Sequence, residues 1–140
     1  ILEDSPEKLN NSEKEKVMIA SSLIHKPQIL LLDESIYKLN SSDKKLVFKI
    51  LKEYQKEYKL TIILITHDLE DTLISDNIIL LDKGKIILND TKEKIYEDEK
   101  LEKLGFNLPF IVKLSHNLML YNLLDKVYFD SKEVMDKLWP

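Results

Sequence analysis

Gln28-Ile29-Leu30-Leu31-Leu32-Asp33-Glu34 is a run of branched apolar residues that ends abruptly in two adjacent carboxylates. Continuous apolar character suits a strand buried on both faces, as in a parallel sheet flanked by helices. In open α/β sheets chemistry gathers at the carboxyl ends of strands, where Asp33 and Glu34 stand. Two carboxylates sit there at low cost only if a cation or polar partners offset their desolvation. On one reading Asp33 organises Mg²⁺ and Glu34 polarises a water. On the other, an Asp-Glu pair merely opens a surface loop. The stretch by itself leaves both readings open.

Upstream, Ile1 to Leu9 is polar apart from its ends, and Ser5-Pro6 marks a turn. Ser12-Glu13-Lys14-Glu15 has the Ser-x-x-Glu spacing of a capping box and predicts a helix start. Val17, Ile19, Ala20, Leu23 and Ile24 supply that helix's apolar positions, and it should stop before Pro27. Downstream, Asn40-Ser41-Ser42-Asp43 offers N-caps for a helix to about Tyr58, with Leu46, Val47, Ile50, Leu51 and Tyr54 on its apolar face. Thr61-Ile62-Ile63-Leu64-Ile65 reads as a second buried strand, ending in Thr66-His67-Asp68. A short helix over 69–74 then leads to a strand over 77–81. Asp82-Lys83-Gly84-Lys85 is a strong hairpin signal with a return strand over 85–88. The pattern predicts an α/β fold of mainly parallel strands with helices and an antiparallel edge hairpin.

After Asn89 only helix is expected. A charged helix over 91–104 is closed by Gly105, and Leu108-Pro109-Phe110 opens another that runs toward Leu124. Ser131 caps a last short helix ending at Trp139-Pro140.

Composition bounds the function classes. The 140 residues fit one domain or a large fragment of one, and 44% hydrophobic with 33% charged residues describes a globular protein. A formal net charge of -4 argues against a dedicated nucleic-acid binder. No apolar run approaches the roughly 18 residues that cross a bilayer, and no signal peptide is visible. With no Cys there is neither a disulfide framework nor a thiolate metal site, which fits a cytosolic location. The chain begins at Ile1 and its first Met is Met18, so a natural start upstream is expected. Its 2 glycines, Gly84 and Gly105, do not supply the spacing of a phosphate-cradling P-loop.

Three features in order carry a resemblance: Leu9-Asn10-Asn11-Ser12-Glu13 at a helix start, Ile29 to Glu34 at a strand end, and Thr66-His67-Asp68 after the next strand. Together they resemble the second half of an ABC-transporter ATPase domain, with a signature helix, a Walker B strand and a switch histidine. The resemblance implies that Asp33 holds Mg²⁺ through water, that Glu34 is the general base and that His67 senses the γ-phosphate of ATP. His25 and His116 lack such context and read as a helix-end and a surface residue. In that family a site forms between two domains, the signature of one facing the nucleotide of the other. Asn10, Asn11, Ser12 and Glu13, with Asn40 in the loop after Walker B, therefore occupy the positions expected to contact nucleotide.

These positions also depart from the family pattern. The family's Leu-Ser-Gly-Gly-Gln needs small residues so that backbone N–H groups approach the γ-phosphate. Glu13 in place of Gln puts a carboxylate near a polyphosphate. Asn40 replaces the usual Asp, and Ser35 replaces the usual Pro. The signature helix is therefore expected to survive as a capped structural helix. Turnover is expected in one site, if an upstream segment supplies a P-loop, facing a weak or silent one.

Leu108-Pro109-Phe110-Ile111-Val112-Lys113-Leu114 resembles the region beyond the core in energy-coupling-factor ATPases, the cobalt and vitamin importers. What this implies is residues 1–90 as the C-terminal part of an ABC ATPase domain and 91–140 as a helical extension for dimerisation. The partners implied are a second ABC ATPase subunit and an integral membrane transport subunit, with no nucleic acid. The location implied is cytoplasmic, peripheral on the inner face of the membrane. Without a P-loop the isolated chain is expected to be inactive. The alternative is a silent scaffold pairing with an active ATPase. A DNA-maintenance ATPase would call for long heptads and basic grooves, which the sequence lacks.

Overall fold

A computed structural model describes residues 5–98 and 100–139. Ile1 to Asp4, Glu99 and Pro140 lie outside the described residues, and with them parts of the expected opening segment, the helix over 91–104 and the last helix end. The chain divides between His67 and Asp68 into two compact units.

In the first unit, α1 (Asn11–Leu23) precedes β1 (Ile29–Asp33), a 3-10 turn (Ser35–Lys38), α2 (Ser41–Tyr58) and β2 (Thr61–Ile65). The strands pair in parallel, Ile29 opposite Thr61 through Asp33 opposite Ile65, which α2 makes possible by carrying the chain back. Leu30 and Leu32 point into a core with Ile19, Leu23, Ile36, Leu39, Val47, Leu51 and Leu60. Burial of such a side chain contributes roughly 1.5–3 kcal/mol, so this cluster dominates the unit's stability.

Three expectations are corrected here. β1 is covered on one face only: Ile29 and Leu31 are exposed while their neighbours are buried, because both helices contribute their apolar residues to one side. Next, α1 is capped not by Ser12 and Glu15 but by Asn10 and Glu13, in a reciprocal capping box. Ser12 and Glu15 are drawn into tertiary contacts instead. The buried stripe of α1 is consequently Glu15, Ile19 and Leu23, with Val17 and Ile24 exposed.

The second unit contains a 3-10 helix (Leu69–Ile74), β3 (Asn77–Asp82) and β4 (Lys85–Thr91), then α3 (Lys92–Glu97), α4 (Lys100–Lys103), α5 (Phe110–Leu120) and α6 (Ser131–Leu138). β3 and β4 form an antiparallel two-stranded sheet of their own. Both turn residues, Lys83 (φ 48) and Gly84 (φ 75), are left-handed, as a tight hairpin requires. Ile78 from the hairpin shares one core with Ile95, Tyr96, Leu101, Leu108, Ile111, Val112, Leu124, Val127 and Val134. His116, expected at the surface, is partly buried, its Nε2 2.8 Å from the Tyr96 carbonyl oxygen. The last helix is capped by the Asp130 side chain rather than by Ser131.

Among the described residues no helix is long and apolar enough to cross a membrane.

Candidate functional site

The candidate residues all fall in the first unit, and the parallel strand pair positions the central ones. Asp33 is the last residue of β1 and stands exposed at its carboxyl end. The ladder continues one step further, since the Glu34 N–H donates to the Ile65 carbonyl at 3.0 Å. Glu34 then turns left-handed (φ 53), a conformation costing an L-residue about 1–2 kcal/mol, and starts the 3-10 turn. That bend takes its side chain out of the strand direction. Two residues past β2, His67 meets it: Nδ1 lies 2.9 Å from Glu34 Oε1 and 2.8 Å from Oε2. A carboxylate only accepts, so this contact selects the imidazole with a proton on Nδ1 and fixes the ring's direction.

A second cluster gathers the other candidates around Asp43. Asn10 Oδ1 accepts the Glu13 N–H at 3.0 Å, and Glu13 Oε2 accepts the Asn10 N–H at 2.9 Å. Asn11 opens α1 and is exposed. Ser12 Oγ donates to Asp43 Oδ2 at 2.6 Å, and Asn40 Nδ2 donates to the same oxygen at 2.9 Å. Asn40 Oδ1 accepts the Asp43 N–H at 2.9 Å, capping α2. Lys16 Nζ lies 3.0 Å from Asp43 Oδ1. The hydrogen bond from Ser12, followed by that from Lys16, holds the Asp43 carboxyl below the ordinary carboxylate value.

The fold thus brings Glu34 to His67, and Ser12 to Asn40 through Asp43, whose place near the start of α2 suggests only a cap. It also places buried Glu15 3.5 Å from Lys38 of the 3-10 turn, and Tyr37 against His67 with ring centroids 5.4 Å apart. Neither contact follows from local spacing, since each joins residues far apart along the chain. The Glu15 signal was the i, i+4 spacing of Glu15, Ile19 and Leu23.

A magnesium ion is bound typically by one or two carboxylates together with substrate phosphates and waters. Exposed Asp33 suits such a shared site. Among the described residues no group of three or more acidic, His or Cys side chains forms a self-standing metal site.

No protein-family model matches the chain. It is 32% identical over 136 residues, 96% of this chain and 49% of the relative, to an energy-coupling factor transporter ATP-binding protein of Geobacillus kaustophilus. It is 35% identical over 138 residues, 97% of this chain and 49% of the relative, to a putative ABC transporter ATP-binding protein of Pyrococcus horikoshii. The chain spans about half the length of the curated relatives it matches. Among solved structures, cbiO1 from Clostridium perfringens, part of the ABC transporter complex cbiONQ, superposes with a TM-score of 0.60 at 31% identity, covering 79% of this chain and 45% of that one. A dimeric ATP-binding cassette in a post-hydrolysis state, bound to ADP and Pi, superposes with a TM-score of 0.58 at 26% identity, covering 62% of this chain and 38% of that one.

Proposed function

The chain belongs to the ABC-transporter ATPases of the energy-coupling-factor type, aligned with their C-terminal part, and on that premise we propose that it helps drive an importer for a metal ion or vitamin. In this reading Glu34 is the general base toward the water that attacks ATP, and His67 orients Glu34 and senses the γ-phosphate of ATP. The observation that carries the reading is the His67–Glu34 contact at 2.8 Å, formed where the two parallel strands end. The same side chain that would take a proton is thereby oriented by a second group, the arrangement general-base catalysis needs. Asp33 would hold Mg²⁺, which when bound neutralises charge on the phosphates. Asn10, Asn11, Ser12, Glu13 and Asn40 would face the nucleotide of a second ATPase subunit, and an integral membrane subunit would receive the motion. Residues 1–90 act as the ATPase portion and residues 91–140 as the dimerisation segment, on the cytoplasmic side of the membrane.

Glu34→Gln in the reconstituted transporter tests this. Steady-state ATP hydrolysis should fall by roughly 10²–10⁴-fold with nucleotide binding retained, the range for a lost general base. Unchanged hydrolysis removes Glu34 from the role.

A second reading, a silent scaffold that pairs with an active ATPase, is favoured by the reciprocal cap of Asn10 and Glu13. That cap commits groups that would otherwise greet a phosphate. Normal turnover of the partner's site combined with no effect of Glu34→Gln would favour the scaffold.

A further inference from the structure

We propose that Tyr37 is a positioning residue for His67, and through it for Glu34. Tyr37 is 67% exposed, and the His67 side chain is 67% exposed as well, so burial does not account for their contact. Their rings nevertheless meet at 5.4 Å between centroids with planes tilted by 47°. This lies within the range at which ring pairs attract.

The local backbone explains why the tyrosine is there. Glu34 caps the 3-10 turn Ser35–Lys38, and the Tyr37 N–H donates to the Glu34 carbonyl at 3.3 Å. That i, i+3 hydrogen bond ties left-handed Glu34 to Tyr37, and the side chains of both reach His67. His67 therefore has the carboxylate on Nδ1 and the Tyr37 ring against it. The turn is pinned from below by buried Ile36 and Leu39, and Lys38 reaches the buried carboxylate of Glu15. An anchored turn holding an exposed ring on an exposed imidazole restricts the imidazole's rotation. That restriction keeps Nδ1 on Glu34 when the general base has to act.

The inference deepens the assignment of Glu34 and His67 above and rests on it for its effect on turnover, but not for the ring contact. The test follows the His67 ring resonance by NMR in the full chain, assigned through His67→Ala, together with ATP hydrolysis in the reconstituted transporter. Tyr37→Ala should displace the His67 resonance and lower kcat by roughly two- to twelve-fold, the fold-change an aromatic pair corresponds to, with KM for ATP unchanged. Tyr37→Phe, which keeps the ring, should hold both readings nearer wild type than Tyr37→Ala does. An undisplaced His67 resonance in Tyr37→Ala overturns the proposal. So does a displaced resonance with unchanged kcat. In that second case, wild-type hydrolysis by His67→Ala would trace the failure to the assignment of the site, and loss of hydrolysis would trace it to Tyr37.

Discussion

Asp43 takes donors from Ser12, Asn40 and Lys16, linking the start of α1 to the start of α2. Its carboxyl is held below the ordinary 3.8, first by the Ser12 hydroxyl and then by Lys16. A depressed carboxylate stabilises the fold at pH values above its unfolded value, and that contribution is lost as pH falls through the folded one. Thermal melts below pH 4 should therefore lose stability less steeply in Asp43→Asn than in wild type. Equal slopes would mean that the Ser12–Asp43 contact does not persist in solution. The same contact changes what Ser12 is. By resemblance it stands where a nucleotide's phosphate would be met, yet its hydroxyl proton is already given to a carboxylate. The signal for this was weak in the sequence, because Ser12 and Asp43 are separated by 31 positions. No local spacing rule reaches that far.

At the scale of elements, caps decide more than propensity. Asn10→Ala removes the side chain that accepts the Glu13 N–H and should destabilise the first unit by about 1 kcal/mol, read from the denaturant midpoint. A loss well under 0.5 kcal/mol would say that Asn10 is not a working cap. Most elements were legible. The helix from Asn40 to Tyr58, the strand at Thr61–Ile65, the short helix at Leu69–Ile74 and the Lys83-Gly84 turn stand where periodicity and turn chemistry put them. Two misplaced helix ends share one cause. The charged stretch over 91–104 divides around extended Asp98, whose carboxylate accepts the Lys100 N–H at 3.0 Å. Similarly α5 stops at Leu120, closed by left-handed Asn122, although apolar residues continue to Leu124. Short Asx side chains compete with the helix for backbone donors or tolerate the left-handed bend, and periodicity does not register either.

At the scale of the whole molecule, each unit's stability rests on its core, and Tyr96 gives the second a pH signature. It is fully buried, and its hydroxyl lies 2.6 Å from Thr72 Oγ1 and donates to the Leu69 carbonyl at 3.2 Å. Burial pushes its pKa from 10.0 up to about 12. Between those values the unfolded chain has released the proton and the folded one keeps it, so stability falls as pH rises through that window and is unaffected below it. Tyr96→Phe should cost about 1 kcal/mol at neutral pH through its lost hydrogen bonds. It should also melt with a shallower alkaline decline than wild type. A pH series of Tm for both proteins reads this, and parallel declines above pH 10 would exclude Tyr96 as its source. In the first unit, among the described residues, Ile29, Leu31, Ile63 and Ile65 are exposed on one side of the strand pair. Apolar strands of this kind were expected to be covered twice.

The sequence by itself determined the kinds and order of most elements up to the β3–β4 hairpin, the carboxylates at the end of β1 and the family. These follow from patterns spanning a few residues, or from motifs in fixed order. Only the tertiary structure decided that Glu34 meets His67, that Ser12 answers to Asp43 and that Tyr37 lies on the imidazole. Those outcomes depend on strand register, on a left-handed turn at Glu34 and on which sides of the strands the helices cover. Register and helix coverage join residues that are far apart along the chain, and only the packed fold selects them.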